Sequence, residues 1–161
     1  MRNIILGYDH RGKEIKAAVI KCLEKLELKL KFDIIDTCMN DEGCTDYPSI
    51  ANNVCQSIEK DDMGILICNT GTGMAMAANK FEHIRAVQGH SEDIAKLSRQ
   101  HNNANVLCLG TLNEINEKGR VNEEELYQKI KIFLSTSHSN EERHIRRVKQ
   151  MSISEKKRKK K

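Results

Sequence analysis

The chain has 161 residues, of which 39% are hydrophobic, 31% are charged and 4% are aromatic, and its formal net charge is +4. This length and composition suit a chain that buries one sizeable core, and they exclude a bilayer-spanning class because no apolar run is long enough. The basic charge is concentrated at one end: from His138 onward ten Lys and Arg residues stand against three Glu, whereas the remainder holds 17 basic and 20 acidic residues.

Domain organisation follows from this charge distribution. We expect a single α/β domain over residues 1–150 and a basic tail over residues 151–161, whose last six residues are all Lys or Arg and are predicted to be disordered. Solubilisation is the favoured role of the tail, with nucleic-acid contact as the alternative. No aromatic residue interleaves with the tail, which argues against a stacking platform for single strands.

The cysteines bear on the cellular compartment. There are six, at positions 22, 38, 44, 55, 68 and 108, and none forms a Cys-x-x-Cys pair. We therefore expect free thiols in a reducing compartment rather than disulfides or a zinc site. The first residues lack the features of a signal peptide, so a cytoplasmic location is predicted.

Five short apolar runs predict β-strands at residues 3–8, 31–36, 64–68, 84–88 and 105–110. Helices are predicted between and after them at residues 13–26, 48–60, 74–79, 92–100, 123–134 and 140–151. Ser91 and Asn122 are the expected caps, and Glu125 completes a capping box with Asn122. This alternation predicts an α/β fold: a three-layer αβα sandwich around a five-stranded parallel Rossmann-like sheet.

The most informative stretch is residues 64–79, an apolar run that leads through a glycine loop into an alanine-rich helix. Cys68 closes the predicted strand, where open α/β sheets bind their ligands, and we expect its thiolate to be favoured there. Gly71 and Gly73 allow a phosphate or an enolate-like anion to approach the backbone. The pattern lacks the third glycine of a dinucleotide site and the Gly-Lys-Ser/Thr of a Walker loop. A tight structural turn and a buried, inert Cys68 remain the alternatives.

Other candidate residues lie at the ends of predicted elements. His10 and His101 lie among polar neighbours, although a lone histidine is more often a surface residue. Arg143 and Arg147 are separated by one helical turn, so they form either a two-pronged phosphate clamp or a solvated helix face.

Seven segments together carry a family resemblance: residues 7–10 (GYDH), 45–48 (TDYP), 64–73 (GILICNTGTG), 77–81 (AANKF), 84–87 (IRAV), 97–102 (LSRQHN) and 143–148 (RHIRRV). In this order they resemble the type B ribose-5-phosphate isomerases, which belong to the sugar-phosphate isomerase family that includes galactose-6-phosphate isomerase. The resemblance extends from residue 3 to about residue 148.

The resemblance implies interconversion of ribose 5-phosphate and ribulose 5-phosphate through an enediolate, with neither a metal nor a cofactor. It assigns proton abstraction to Cys68 and ring opening to His101, with Thr70 and the rest of residues 69–73 around the developing oxyanion. It assigns the sugar and phosphate contacts to Asp9, His10, Tyr47, Asn69, Gly71, Thr72, Gly73, Asn102, Arg143 and Arg147. It also implies a homodimer or homotetramer with the active site between two subunits.

This sequence departs from the family pattern at three positions. Asn69 replaces a usual glycine, Thr72 replaces an apolar or small residue, and Leu112 replaces an arginine that many members carry, which removes one expected phosphate contact. Two alternative functions stay open: an isomerase of allose 6-phosphate or galactose 6-phosphate, and a non-catalytic sugar-phosphate-binding protein. The presence of both Cys68 and His101 favours the pentose enzyme, because the galactose enzymes divide their catalytic residues between two different chains.

Overall fold

Five parallel strands form the centre of the fold in the computed structural model, which describes residues 2–38 and 46–158, the last seven as backbone only. The strands are β1 (Arg2–Tyr8), β2 (Phe32–Asp36), β3 (Met63–Cys68), β4 (Ala86–Gln88) and β5 (Val106–Gly110). Their order across the sheet is β2-β1-β3-β5-β4, and every neighbouring pair is parallel. The predicted five-stranded parallel sheet is therefore confirmed.

Helices cover both faces of this sheet. They are α1 (Lys13–Leu30), α2 (Tyr47–Ser57), α3 (Thr72–Ala78), α4 (Glu92–Asn102), α5 (Thr111–Glu114), α6 (Glu123–Ser135) and α7 (Glu142–Arg158). On one face α1 and α4 pack against α6, and on the other α2 packs against α3, as right-handed crossovers require. In the part of the chain that the structure describes, no helix combines the length and apolar character needed to cross a membrane.

The strand order fixes where a ligand can bind. From β1 the chain turns to one side to form β2 and then crosses back to the other side to form β3. Such a switch point opens a crevice at the carboxyl ends of the two diverging strands. Every residue of β3 and β5 is buried, so these strands form a rigid base for that crevice.

Several boundaries differ from the predicted ones. Helix α2 begins one residue earlier and ends at Ser57, and the four-residue helix α5 was not predicted. Strand β4 begins only at Ala86, because the N–H of Arg85 donates to the side chain of Asn105 instead of a neighbouring strand. Helix α7 continues to Arg158, into the segment predicted to be a disordered tail, since Lys, Arg and Glu are good helix formers. Residues 159–161 lie outside the described part.

The helix caps follow the prediction in part. The Ser91 hydroxyl accepts from the N–H of Ile94 at 3.2 Å, which caps α4 as expected. The Asn122 side chain caps α6 by accepting from the N–H of Glu125. The predicted capping box does not close, because the Glu125 carboxylate accepts from the Asn122 side-chain amide, while the Asn122 N–H donates to the carbonyl of Glu114.

The expectation of free thiols holds for four cysteines and is wrong for Cys38. Cys22, Cys55, Cys68 and Cys108 are free, whereas Cys38 is disulfide-bonded. A disulfide depends on a short distance between two Cα atoms, which spacing along the chain does not reveal. Most of the predicted polar loop over residues 37–46 also lies outside the described residues.

Candidate active site

Cys68 is the last residue of β3 and lies opposite Gly110 of β5. Its side chain is 5% exposed, so the sulfur lies just beneath the carboxyl edge of the sheet. The N–H of Gly71 donates to Cys68 Sγ at 3.1 Å. This contact holds the loop amide against the sulfur at the end of β3.

The loop over residues 69–73 is fixed by two neighbouring strands. The carbonyl of Asn69 accepts from the N–H of Leu112 and from the Thr111 hydroxyl, at 3.1 and 3.3 Å. The carbonyl of Thr70 accepts from Gln88 Nε2 at 2.6 Å. Asn69, which departs from the family pattern, is thus held by the turn after β5. The loop is anchored before any ligand binds, as an oxyanion-stabilising loop must be.

Two glycines in this loop have close neighbours. Gly71 has a φ of 77°, and a Cβ atom there would lie 3.0 Å from the carbonyl oxygen of Cys108. A Cβ atom at Gly73 would lie 2.9 Å from Cε2 of Tyr47, the first residue of α2. The phenol ring therefore packs directly on the loop, and the structure brings Tyr47 together with the predicted oxyanion site. Thr70 and Thr72 are exposed beside it.

Asp9 and His10 follow β1, on the other side of the switch point. The Asp9 N–H donates to the carbonyl of Ile67 at 3.1 Å, so Asp9 lies beside the end of β3. Its carboxylate is nearly buried and accepts from the N–H groups of Arg11 and Gly12, both at 2.9 Å. Asp9 thus stabilises the turn that leads into α1, while His10 is exposed at the crevice.

His101 and Asn102 lie far from Cys68 within one chain. They end α4, which starts beyond the carboxyl end of β4 and descends to the amino end of β5. Eleven residues of helix span roughly 16 Å. Just after α4, the carbonyl of Asn105 accepts from the N–H of Gly64, near the start of β3, whereas Cys68 lies at its end. The two predicted catalytic residues therefore occupy opposite edges of the sheet.

Helix α7 brings Arg143 and Arg147 to the same edge as His101. The imidazole rings of His101 and His144 stack with centroids 4.2 Å apart and planes inclined by 32°. His144 is buried, and its Nδ1 lies 2.6 Å from the Ser139 hydroxyl. Arg143 and Arg147 are exposed one turn apart on α7. One chain thus presents His101, Asn102 and both arginines as a second group of predicted site residues.

The electrostatics of this second group favour a neutral His144. Burial lowers the pKa of His144, and the nearby His101 lowers it further. His144 and Gln88 were not among the candidate residues predicted from the sequence. His144 lies between the paired arginines of the RHIRRV segment, which was a usable signal, whereas the contact of Gln88 with the loop depends on strand register alone.

The described residues contain no group of three or more His, Cys, Asp or Glu side chains arranged to hold a metal ion. Leu112, which departs from the family pattern, is 63% exposed at the carboxyl edge, next to the Asn69 turn.

Comparison with known proteins agrees with this geometry. Residues 4–151 match the family model described as Ribose/Galactose Isomerase. A probable ribose-5-phosphate isomerase B from Mycoplasma genitalium is 42% identical over 113 residues, covering 68% of this chain and 72% of that protein. Ribose-5-phosphate isomerase B from Escherichia coli is 40% identical, covering 69% and 73%.

The fold agrees over nearly the whole chain with a solved structure. The crystal structure of ribose-5-phosphate isomerase B from Mycoplasma genitalium with bound ribulose-5-phosphate has a TM-score of 0.78 and 34% identity, and the match covers 96% of each chain. A family model matching most of the chain, relatives near 40% identity and this shared fold lead to one conclusion. The chain belongs to the ribose/galactose isomerase family.

Proposed function

We propose that this chain is an aldose–ketose isomerase that interconverts ribose 5-phosphate and ribulose 5-phosphate. The observation that carries the proposal is the match to ribose-5-phosphate isomerases B, one of which has been solved with ribulose-5-phosphate bound. A cysteine at the switch point, with an N–H donated to its sulfur, supplies the chemistry that such a reaction needs.

In the proposed mechanism the Cys68 thiolate takes the proton from C2 of the open aldose and returns it to C1. General base catalysis of this kind contributes about 10² to 10⁴ in rate. The negative charge passes to the substrate oxygens, which the backbone and Thr70 hydroxyl of residues 69–73 stabilise. Because the loop is anchored by Gln88 and by the turn after β5, it needs little reorganisation when the charge develops.

Ring opening and phosphate binding are assigned to the second group of residues. His101 acts as acid and base on the ring oxygen of the furanose, and Asn102 binds sugar hydroxyls. Arg143 and Arg147 bind the phosphate, whose binding energy orients the reacting carbons over Cys68. Asp9, His10 and Tyr47 contribute the remaining contacts from the edge that carries Cys68.

We further propose that a second copy of the chain completes each site. The proposal is supported by the opposite positions of Cys68 and His101, since roughly 16 Å of helix separates the ends of α4. In a two-fold dimer the His101 group of one chain meets the Cys68 group of its partner, and the same contact is made twice. A dimer and a tetramer built from two such dimers both satisfy this requirement. A cytoplasmic location stays a prediction.

The first experiment follows the conversion of ribose 5-phosphate to ribulose 5-phosphate in the presence of EDTA. We expect turnover by the wild type and a loss of about a hundredfold or more in Cys68→Ala. Cys22→Ala is the matched control, because Cys22 is also a buried free thiol but lies on α1. Equal rates for Cys68→Ala and Cys22→Ala would remove the thiolate from the mechanism. Absence of turnover by the wild type would contradict the enzyme proposal and favour the alternative of a non-catalytic sugar-phosphate-binding protein.

The same assay separates the pentose from the six-carbon substrates. Allose 6-phosphate and galactose 6-phosphate are offered alone and in competition with ribose 5-phosphate. A higher kcat/KM for a six-carbon sugar would assign the chain to the alternative isomerase class. We expect the pentose to be preferred, because this one sequence contains both Cys68 and His101, whereas the galactose enzymes divide their catalytic residues between two different chains.

A further inference from the structure

Three half-buried arginines gather at the amino edge of the sheet. Arg2 begins β1, Arg85 directly precedes β4, and Arg99 lies in the last turn of α4. They line one cavity of about 530 Å³. The other charged side chains on its wall are Lys60, Asp61 and Asp62.

Backbone carbonyls, rather than carboxylates, hold these arginines in place. Arg2 Nη2 donates to the carbonyl of Leu134 at 2.8 Å, Arg85 Nε to that of Asn103 at 2.6 Å, and Arg99 Nε to that of Thr136 at 3.1 Å. Among the side chains of residues 2–38 and 46–151, no carboxylate forms an ion pair with any of the three. Arg99 Nη1 donates in addition to Asn103 Oδ1 at 3.3 Å and to the carbonyl of Ala104. Arg85 Nη1 donates to the carbonyl of His83 at 3.5 Å, and Arg2 Nη1 to the sulfur of Met63 at 3.7 Å. Each guanidinium has five N–H donors, so donors remain on all three side chains.

The two aspartates do not neutralise the cluster. Asp62 is nearly buried, and its two carboxylate oxygens accept from the N–H groups of Asn3 and Glu59 at 2.7 and 3.1 Å. Asp61 is exposed to solvent. Together with Lys60, four positively charged side chains line the cavity. They face two carboxylates: that of Asp62, which is already hydrogen-bonded to backbone N–H groups, and that of Asp61, which is solvated. The cavity therefore has a net positive charge.

The positive charges of these arginines repel one another, and their partial burial makes the charged forms less favourable. Burial lowers the pKa of Arg85, and burial together with the charges of Arg2 and Arg85 lowers that of Arg99 to about 10. His138 lies near enough for Arg99 and Arg85 to lower its pKa as well. Its Nε2 is buried without a hydrogen-bond partner in the described part of the chain. A bound anion would relieve this repulsion and use the remaining donors.

We propose that this cavity is a second ligand site, which binds a tetrahedral oxyanion such as phosphate or the phosphate group of a small metabolite. Planar guanidinium groups from three different elements converge on it, an arrangement that suits bidentate contacts to phosphate oxygens. The site lies at the amino edge of the sheet, which also carries His101, but its lining includes none of the residues assigned to catalysis or to substrate binding. It therefore does not depend on the proposed function.

Binding is tested by titrating inorganic phosphate into the full-length chain and recording backbone amide shifts by NMR. Glycerol 3-phosphate is the second probe, which distinguishes free phosphate from a phosphate ester. The titrations use Arg143→Ala/Arg147→Ala as background, so that the proposed substrate clamp does not compete. We expect saturable shifts at the amides of Met63, Asn103 and Asn105, at the cavity wall, independent of shifts at Gly71.

Charge reversal at the exposed Lys60 tests the cavity specifically. Lys60 lines the cavity, and its side chain makes no hydrogen bond among the described residues, so its replacement should not disturb the fold. Lys60→Glu should raise the dissociation constant about fivefold, whereas Lys96→Glu, an exposed lysine on α4 outside the cavity, should leave it unchanged. Introduced into the otherwise wild-type chain, which keeps Arg143 and Arg147, Lys60→Glu and Lys96→Glu should both leave isomerase activity equal to that of the wild type. Shifts that fail to saturate, no shifts at these amides, or equal weakening in both variants would overturn the proposal.

Discussion

At the scale of single residues, the four free cysteines differ in their surroundings. Burial raises the pKa of Cys22 to about 11 and that of Cys55 to about 12, and it raises the pKa of Cys108 well above the usual range. Cys68 differs because it ends a strand at the edge of the crevice and its sulfur accepts the Gly71 N–H. The four thiols therefore lie in different surroundings, and burial disfavours the thiolate at Cys22, Cys55 and Cys108.

This difference predicts selective alkylation. After brief treatment with iodoacetamide at pH 8, mass spectrometry should find the adduct on Cys68, because Cys22, Cys55 and Cys108 stay protonated and buried. Ribose 5-phosphate should protect Cys68 and leave the other three unchanged. Modification of Cys22 or Cys55 at a rate similar to that of Cys68 would contradict this account of the sulfur environments.

His144 predicts a pH dependence of stability. Its pKa in the folded chain lies below the ordinary histidine value of 6.5, so the unfolded chain binds the proton first as the pH falls. The stability that neutral His144 provides is complete above pH 6.5 and is lost as the pH falls from there toward the lower folded value. Urea titrations between pH 7.5 and 5 should show a smaller decline for His144→Gln than for the wild type. The exposed His90→Gln should decline as the wild type does.

At the scale of elements, the glycine loop combines a backbone requirement with a steric one. Gly71 and Gly119 have nearly equal positive φ angles, 77° and 71°. A Cβ atom at Gly71 would meet the carbonyl of Cys108, whereas one at Gly119 would meet nothing within 4 Å. The two positions therefore separate backbone strain from damage to the site.

Alanine at either glycine should lower the free energy of unfolding by about 1 to 2 kcal/mol through backbone strain. Gly71→Ala should also lower kcat by about tenfold or more, since it displaces an N–H that donates to Cys68 Sγ. Gly119→Ala should keep full activity. Denaturant unfolding and steady-state kinetics on the two variants test this, and equal activity in both would show that the loop geometry does not govern catalysis.

The elements also show what sequence patterns predict well. The Ser91 cap and the five apolar strands are strong local signals, and both appear as expected. Helix α5 has only four residues, too few for a periodic signal, and the late start of β4 depends on a hydrogen bond between Arg85 and Asn105, twenty residues apart. The continuation of α7 to Arg158 follows helix propensity, which outweighed the expectation of a disordered basic tail.

At the scale of the whole molecule, the polarity of the parallel sheet governs the distribution of function. Asp9, Cys68 and Tyr47 gather at the carboxyl edge; the strand pattern predicted this place for Asp9 and Cys68, whereas Tyr47 was a candidate only through the family resemblance. His101 stands at the other edge because a crossover helix must return the chain to the start of the next strand. The family resemblance named the members of both groups, but only the direction of α4 shows that one chain keeps them apart.

The central claim, that Cys68 and His101 act on one substrate from two chains, is tested most directly by complementation. Cys68→Ala and His101→Ala are purified, unfolded, mixed in equal amounts and refolded together, and ribose 5-phosphate turnover is measured. We predict that each variant alone is nearly inactive and that the mixture regains about a quarter of wild-type activity, because half of randomly paired dimers are mixed and each has one intact site of two. A mixture no more active than its parents would contradict the account.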